Sequence, residues 1–216
     1  MASRPSFFPN FDAIGVKTRY FDFEWHPGFA PSQKKKNVAG LHCAIAAWRP
    51  GCKALEISRR SELDAGVALS AFNLKLPVSG TPCTVEAVFQ AGKVFAGGVG
   101  PFPEMRTHGS KEVRDFVRER AGIRSLVAFE DADGVRWPLT PRTAFYDWLY
   151  LKALAANPDL AAAVEEFDCF TDIEFNPDRQ LNCQAAAAAL WRSLKHACRL
   201  EEALSSQEAF LRVHPA

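Results

Sequence analysis

No apolar run in this chain approaches the roughly 18 residues that a membrane-spanning helix requires. A membrane partner is therefore not expected. The opening MASRPSFFPN has no apolar segment of signal-peptide length, so the cytoplasm is the expected compartment. The six cysteines (Cys43, Cys52, Cys83, Cys169, Cys183, Cys198) contain no CxxC pair, and the five histidines form no HExxH or His/Cys cluster. That argues against a zinc site and a disulfide framework, and no metal or other cofactor is expected. The net charge of +1 is too small for binding nucleic acid through bulk charge. Local basic patches remain open at Lys34–Lys36, Arg59–Arg60 and the run Lys111 to Arg124, although a solvated face is the commoner meaning of such runs. The glycine-rich AGGVGP at 96–101 has neither GxGxxG spacing nor GKS/T, so it is neither a dinucleotide fingerprint nor a P-loop.

What is present is an ordinary globular balance, 48% hydrophobic and 24% charged over 216 residues. At about 150 residues per domain, one domain is the expectation. Residues 1–18 read as irregular because Pro5, Pro9 and Gly15 act as breakers. Strands are predicted at 20–25, 54–58, 67–76 and 124–130, with residues 170–175 extended. Helices are predicted at 33–47, 142–156, 158–167 and 182–204, the third with Asn157 as cap and Pro158 at its first position. Strands and helices do not alternate regularly. The fold expected is α+β, a single domain with a small mixed sheet covered by several helices.

One segment stands apart. In TVEAVFQAGKVF (84–95), read as a helix, Glu86, Gln90 and Lys93 fall at i, i+4 and i+7 on one narrow stripe. Every other side is apolar or small, as expected of a buried helix. Thr81-Pro82 would cap it and Gly97-Gly98 would end it. Burying a carboxylate and an ammonium costs several kcal/mol each unless they are paired or used. The stripe therefore lines a cleft, forms a costly structural pair, or belongs to a half-exposed helix meeting water.

Two further segments place polar residues oddly. In FTDIEFNP (170–177), Asp172 and Glu174 alternate with Ile173 and Phe175, so in a strand both carboxylates share a side. Paired carboxylates raise at least one pKa and suit acid/base work, whereas a solvated strand edge is the plain alternative. Downstream, Asn182 and Gln184 open an alanine-rich helix, where Asn182 reads as a cap. In LSAFNL (69–74), Ser70 and Asn73 flank Phe72, an aromatic beside hydroxyl and amide that suits a nucleobase or ribose.

In this order, LSAFNL, the E-x2-F-Q-x2-K pattern of Glu86, Phe89, Gln90 and Lys93, and FTDIEFNP with NCQA resemble the NADAR family of N-glycosidases over about residues 66–195. With FEWHPGF and TAFYDWLYLKAL, the chain looks closest to the branch that accompanies DarT-type DNA ADP-ribosyltransferase toxins. Ala71 stands where that family usually has Asn, and Asn176-Pro177 replaces its Trp-Gly element. The resemblance implies residues 66–216 as the NADAR-like catalytic domain, with residues 1–65 an N-terminal extension packed on it. It also implies hydrolysis of an N-glycosidic bond, here releasing ADP-ribose from guanine in DNA.

On that footing Glu86 is the first candidate to stabilise the oxocarbenium charge or activate water, with Asp172 or Glu174 as partner. Lys93 becomes a nucleophile forming a Schiff base with the opened sugar, or a cation holding it. Ser70, Asn73 and Gln90 would orient ribose and base, Phe72 or Trp148 would stack, and Asn176, Asn182 and Gln184 complete the expected binding set. The expected partners are ADP-ribosylated DNA and the cognate toxin. Two other readings stay open: an N-glycosidase acting on a small ribosylated metabolite, and an antitoxin that binds ADP-ribose or toxin without turnover.

Overall fold

Residues 2–23, expected to begin irregularly, form a hairpin of β1 (Ala2–Pro9) and β2 (Val16–Phe23), joined antiparallel from Ala2↔Phe23 to Pro9↔Val16. Pro5 and Pro9 are tolerated because β9 (Cys169–Thr171) pairs with β1 only at Ser6 and Phe7. The prolines thus avoid the positions where that second neighbour needs an N–H. The computed structural model describes residues 1–215. Its remaining elements are α1 (Pro31–Trp48), β3 (Ala54–Glu56), α2 (Asp64–Ala68), β4 (Lys75–Val78), β5 (Thr81–Thr84), α3 (Val85–Ala91) and β6 (Lys93–Phe95). They are followed by a 3-10 turn (Pro103–Met105), α4 (Ser110–Ala121), β7 (Leu126–Glu130), β8 (Arg136–Trp137), α5 (Ala144–Ala155) and α6 (Pro158–Glu165). Beyond β9 come α7 (Gln184–His196), α8 (Leu200–Ala203) and α9 (Gln207–Val213). This is the α+β class expected. Among the described residues no helix is long and apolar enough to cross a membrane.

The chain divides into two compact units. The first joins Met1–Ser70 to Pro158–Leu200 and holds a sheet of order β2-β1-β9-β3, mixed because β3 and β9 run parallel. Val38, Leu41 and Ile45 of α1 meet Phe8, Phe21, Phe23, Cys169 and Ile173 in its core. These α1 positions fall at i, i+3 and i+7, the spacing that builds one buried stripe. The alanines of α7 are buried, and that helix packs on β1 and β9.

The second unit runs from Ala71 to Asn157 and resumes at Glu201. It contains the β4-β5 hairpin, the antiparallel β6-β7-β8 sheet, and a core of α3 and α4 residues around Phe95, Phe102 and Met105. Helix α5 is buried nearly all round, and its Phe145 stacks on Phe129 with ring centroids 4.9 Å apart.

Three local expectations change. The 67–76 strand is replaced by the end of α2, a turn and the start of β4; within α2, Gly66 packs where a Cβ would lie 2.1 Å from the Glu56 carbonyl. The helix expected over 84–95, with Thr81-Pro82 as its cap, covers only Val85–Ala91: Thr81–Thr84 pairs as β5, and the cap is Thr84, whose hydroxyl accepts the Ala87 N–H at 3.3 Å. The 182–204 helix starts at Gln184 with Cys183 as cap residue, so Asn182 does not cap it, and α7 ends at His196. The longest helix is α1, at 18 residues.

Candidate functional site

Helix α3 stops at Ala91, and Gly92 turns the chain into β6. A Cβ on Gly92 would lie 2.6 Å from the Glu130 carbonyl and 3.0 Å from the Phe145 ring, so only glycine fits this corner. The Gly92 carbonyl accepts the Glu130 N–H at 2.7 Å, and Lys93 opens β6 opposite Phe129. Lys93 thus comes from a strand rather than from the helical stripe. The corner nevertheless returns its side chain to the helix. Lys93 Nζ donates to Gln90 Oε1 at 2.6 Å, and Gln90 Nε2 donates to Glu86 Oε1 at 2.9 Å.

This Lys93–Gln90–Glu86 chain is largely shielded. Gln90 is 9% exposed, and the lysine nitrogen stands 5.3 Å from the centroid of the Phe89 ring. Burial pushes the Glu86 carboxyl above its ordinary range, while the Gln90 hydrogen bond and the charges of Lys93 and Arg114 pull it back. Burial likewise pushes the Lys93 ammonium down, against the opposing pull of Glu86. Both shifts favour the neutral forms, an acid and an amine joined by one amide.

The turn that holds Phe72 and Asn73 is tied to the start of α3. Ala71 O accepts the Glu86 N–H at 3.0 Å and Leu74 O accepts the Val85 N–H at 3.0 Å. The main chain of Ala71 therefore has a structural task whatever side chain it carries. Phe72 is 36% exposed, which leaves ring surface for a base. Trp148 is 5% exposed, with Trp137 and Phe210 centroids at 5.2 and 5.4 Å, so it packs the core and offers a ligand little surface.

A second polar cluster lies in the first unit. Strand β9 ends at Thr171, so the expected alternation of Asp172 and Glu174 does not occur. Asp172 instead folds its carboxylate over the following turn, accepting the Glu174 and Phe175 N–H groups at 3.0 and 3.1 Å and Gln184 Nε2–H at 2.9 Å. Glu174 points elsewhere and pairs with Arg60 at 3.3 Å. Gln184 also donates to the Ile57 carbonyl at 2.7 Å and accepts the Ser70 hydroxyl at 3.4 Å. Among the described residues, Asn182 Oδ1 is buried with no hydrogen-bond partner, the kind of acceptor a ligand can satisfy. Asn176 Oδ1 accepts the Asp178 N–H at 3.0 Å within a loop turn.

Sequence reading missed Glu56. It is 1% exposed and accepts the Ser58 hydroxyl at 2.6 Å, the Thr171 hydroxyl at 2.6 Å and the Ile173 N–H at 2.9 Å. In LEIS (55–58) the pattern resembles an ordinary strand with one polar face, yet Leu55, Glu56, Ile57 and Ser58 are all buried. Burial pushes the Glu56 carboxyl up, and it pushes Asp172 to about 8 with the Glu56 charge as the next cause.

Comparison with known proteins extends the motif resemblance to nearly the full length. A family model described as the DarT1-associated NADAR antitoxin matches residues 2–216. No curated protein matches the chain. The chain belongs to the DarT1-associated NADAR antitoxin family.

Proposed function

We propose that this member of the family is an N-glycosidase that removes ADP-ribose from guanine in DNA and so reverses the modification made by its cognate toxin. The observation that supports the reading best is the Lys93–Gln90–Glu86 hydrogen-bonded chain. Hydrolysis of a glycosidic nitrogen bond needs a proton for the departing base and a nucleophile for the anomeric carbon. Glu86, favoured as a neutral acid by burial, supplies the proton. Lys93, favoured as a free amine, attacks the anomeric carbon as the bond to the base breaks. A proton then passes from the Lys93 nitrogen to the ring oxygen as the bond between that oxygen and the anomeric carbon breaks, which leaves an open-chain iminium; water adds to it and releases ADP-ribose, the amine and the proton that restores Glu86. Gln90 holds acid and amine apart by one amide, so neither neutralises the other directly.

Phe72 is proposed to stack on the base, Asn73 to contact base or ribose, and Ser70, Asn176, Asn182 and Gln184 to belong to the binding set. Asp172 is proposed as a further carboxylate on which turnover depends. Glu174 enters through its pairing with Arg60.

The test is incubation with a DNA oligonucleotide carrying ADP-ribosyl-guanine, read by mass for free ADP-ribose and the restored base. Wild type should release both, and Lys93→Ala neither. Borohydride should trap an adduct of wild type on Lys93; turnover by Lys93→Ala would end the Schiff-base assignment. Release from a free ribosylated nucleoside at the same efficiency, independent of salt, would favour a small-metabolite substrate, since phosphate contacts make DNA binding salt-dependent. Toxin capture with no release from any substrate would favour a binding antitoxin.

A further inference from the structure

Two of the three basic runs in the sequence meet acids of their own. Arg60 pairs with Glu174 at 3.3 Å. In α4, Glu112, Asp115 and Glu119 interleave with the cations, and Arg118 pairs with Asp115 at 2.9 Å. Lys34, Lys35 and Lys36 differ: among the described residues none of them has an ion-pair partner. They lie close to the start of α1, whose first turn holds no acid. Positive charge there adds to the positive end of the helix dipole, an arrangement that an anion relieves.

Aromatic rings stand beside these ammonium groups. Lys34 Nζ is 5.6 Å from the centroid of the Trp25 ring, and the Arg4 guanidinium carbon approaches the same ring to 5.0 Å. Trp25 itself packs on the core of the first unit beside Phe23, with ring centroids 6.1 Å apart. Asp22 alternates with the buried Phe21 and Phe23, so it leaves on the opposite face of β2, and Glu24 is the exposed acid next to Trp25. The loop from Trp25 to α1 is anchored from inside. Asn37 is fully buried and spends both ends of its amide on one residue: Oδ1 accepts the His26 N–H at 2.8 Å, and Nδ2 donates to the His26 carbonyl at 2.9 Å. At the far end of the loop, the Ala30 carbonyl accepts the Gln33 and Lys34 N–H groups. Between these anchors the loop holds Phe29 out in water, 96% exposed. A ring presented on a fixed loop is preorganised for a partner that covers it.

We propose that this surface, Phe29 and Trp25 with Arg4 and Lys34–Lys36, docks an unpaired stretch of the DNA strand, an inference that rests on the DNA-directed reading above. Phosphates meet the ammonium and guanidinium groups while a base stacks on Phe29, the combination by which single strands are held without sequence preference. The base must be unpaired, because a base inside a duplex already has neighbours on both faces. A lipid surface takes a broad apolar face. Phe29 is instead the one large apolar side chain of its loop, flanked by Gly28 and Ala30.

Fluorescence anisotropy with a labelled single-stranded DNA oligonucleotide that carries no ADP-ribose reads docking apart from turnover. Wild type should bind it, with log K falling against log salt by about 0.7 for each phosphate neutralised. Phe29→Ala should weaken binding about ten-fold and keep that slope. The triple variant Lys34→Ala/Lys35→Ala/Lys36→Ala should flatten the slope by about two. The same oligonucleotide as a duplex should bind more weakly and be indifferent to Phe29→Ala. Variants that melt as wild type does and bind the strand equally well overturn the proposal, and so does a wild type that binds no unmodified strand. Binding to vesicles of anionic phospholipid that both variants lose, with strand binding untouched, overturns it in favour of a membrane. ADP-ribose release is measured beside these titrations on the modified oligonucleotide. Docking without release ends the glycosidase reading alone, and release with docking unchanged in the variants ends this one alone.

Discussion

Lys93 gives its hydrogen to Gln90 Oε1 across 2.6 Å, although the two residues belong to different secondary-structure elements. Replacing Gln90 by glutamate puts a negative charge at that contact. Burial lowers the Lys93 pKa, so the free amine persists to lower pH than in an exposed lysine. Activity that needs this amine falls as pH drops through the lowered value. Gln90→Glu should raise the value and move the acid limb of the rate profile to higher pH. A rate profile measured from pH 5 to 10 checks this, and an unmoved limb would separate Gln90 from the ionisation of Lys93.

Gly92 is expected to tolerate no side chain. Its imagined Cβ meets backbone at the Glu130 carbonyl, which cannot swing aside as a flexible side chain can. Gly92→Ala should destabilise the fold by about 1–3 kcal/mol, the usual range for overpacking, and reduce turnover by displacing Lys93. Urea titration and the release assay report the two effects separately.

His42 should make the protein sensitive to acid. Its folded pKa of about 4 lies below the ordinary 6.5, so the unfolded chain takes up a proton first as pH falls. The stability attached to the neutral ring is complete above 6.5 and is lost progressively down to about 4. At pH 5 the loss is about 2 kcal/mol. Asp172 and Glu86 act in the opposite sense, because their raised values favour the folded form as pH falls through that window. The His42 contribution is therefore read as a difference: His42→Gln should lose less stability than wild type between pH 7 and pH 5. Equal losses in thermal melts would exclude the assignment.

Asp147 of α5 ties down the residue that follows α9. Its carboxylate lies 2.9 Å from His214 Nε2, and both side chains are nearly fully buried. His214→Ala would leave that carboxylate without this partner, at a cost of about 1–3 kcal/mol. Hydrogen exchange should show faster opening of α9 before global unfolding changes. Unaltered protection there would make the pair a bystander.

The helices with strong local punctuation were readable: 33–47 was predicted and 31–48 observed, and α6 begins at Pro158 as expected. Apolar spacing and proline at a first turn act within a few residues and need no partner. That Glu86, Gln90 and Lys93 come together in a largely buried place was also readable, because three polar groups amid small and apolar neighbours conflict with burial wherever the helix ends.

Their geometry was not. Helical periodicity placed Lys93 on a stripe, whereas long-range pairing with Phe129 drew it into β6 and the Gly92 corner brought its nitrogen back. Pro5 and Pro9 signalled breaks, and pairing along the whole of β2 overrode them. Glu56 looked like one outward residue of a short strand until β9 closed beside it, 113 to 115 residues later in the chain, and brought Thr171 to its carboxylate. Side-chain identity settles which groups resist burial. Which of them are in fact buried, and against whom, depends on contacts between segments far apart in the chain, and no local pattern encodes those.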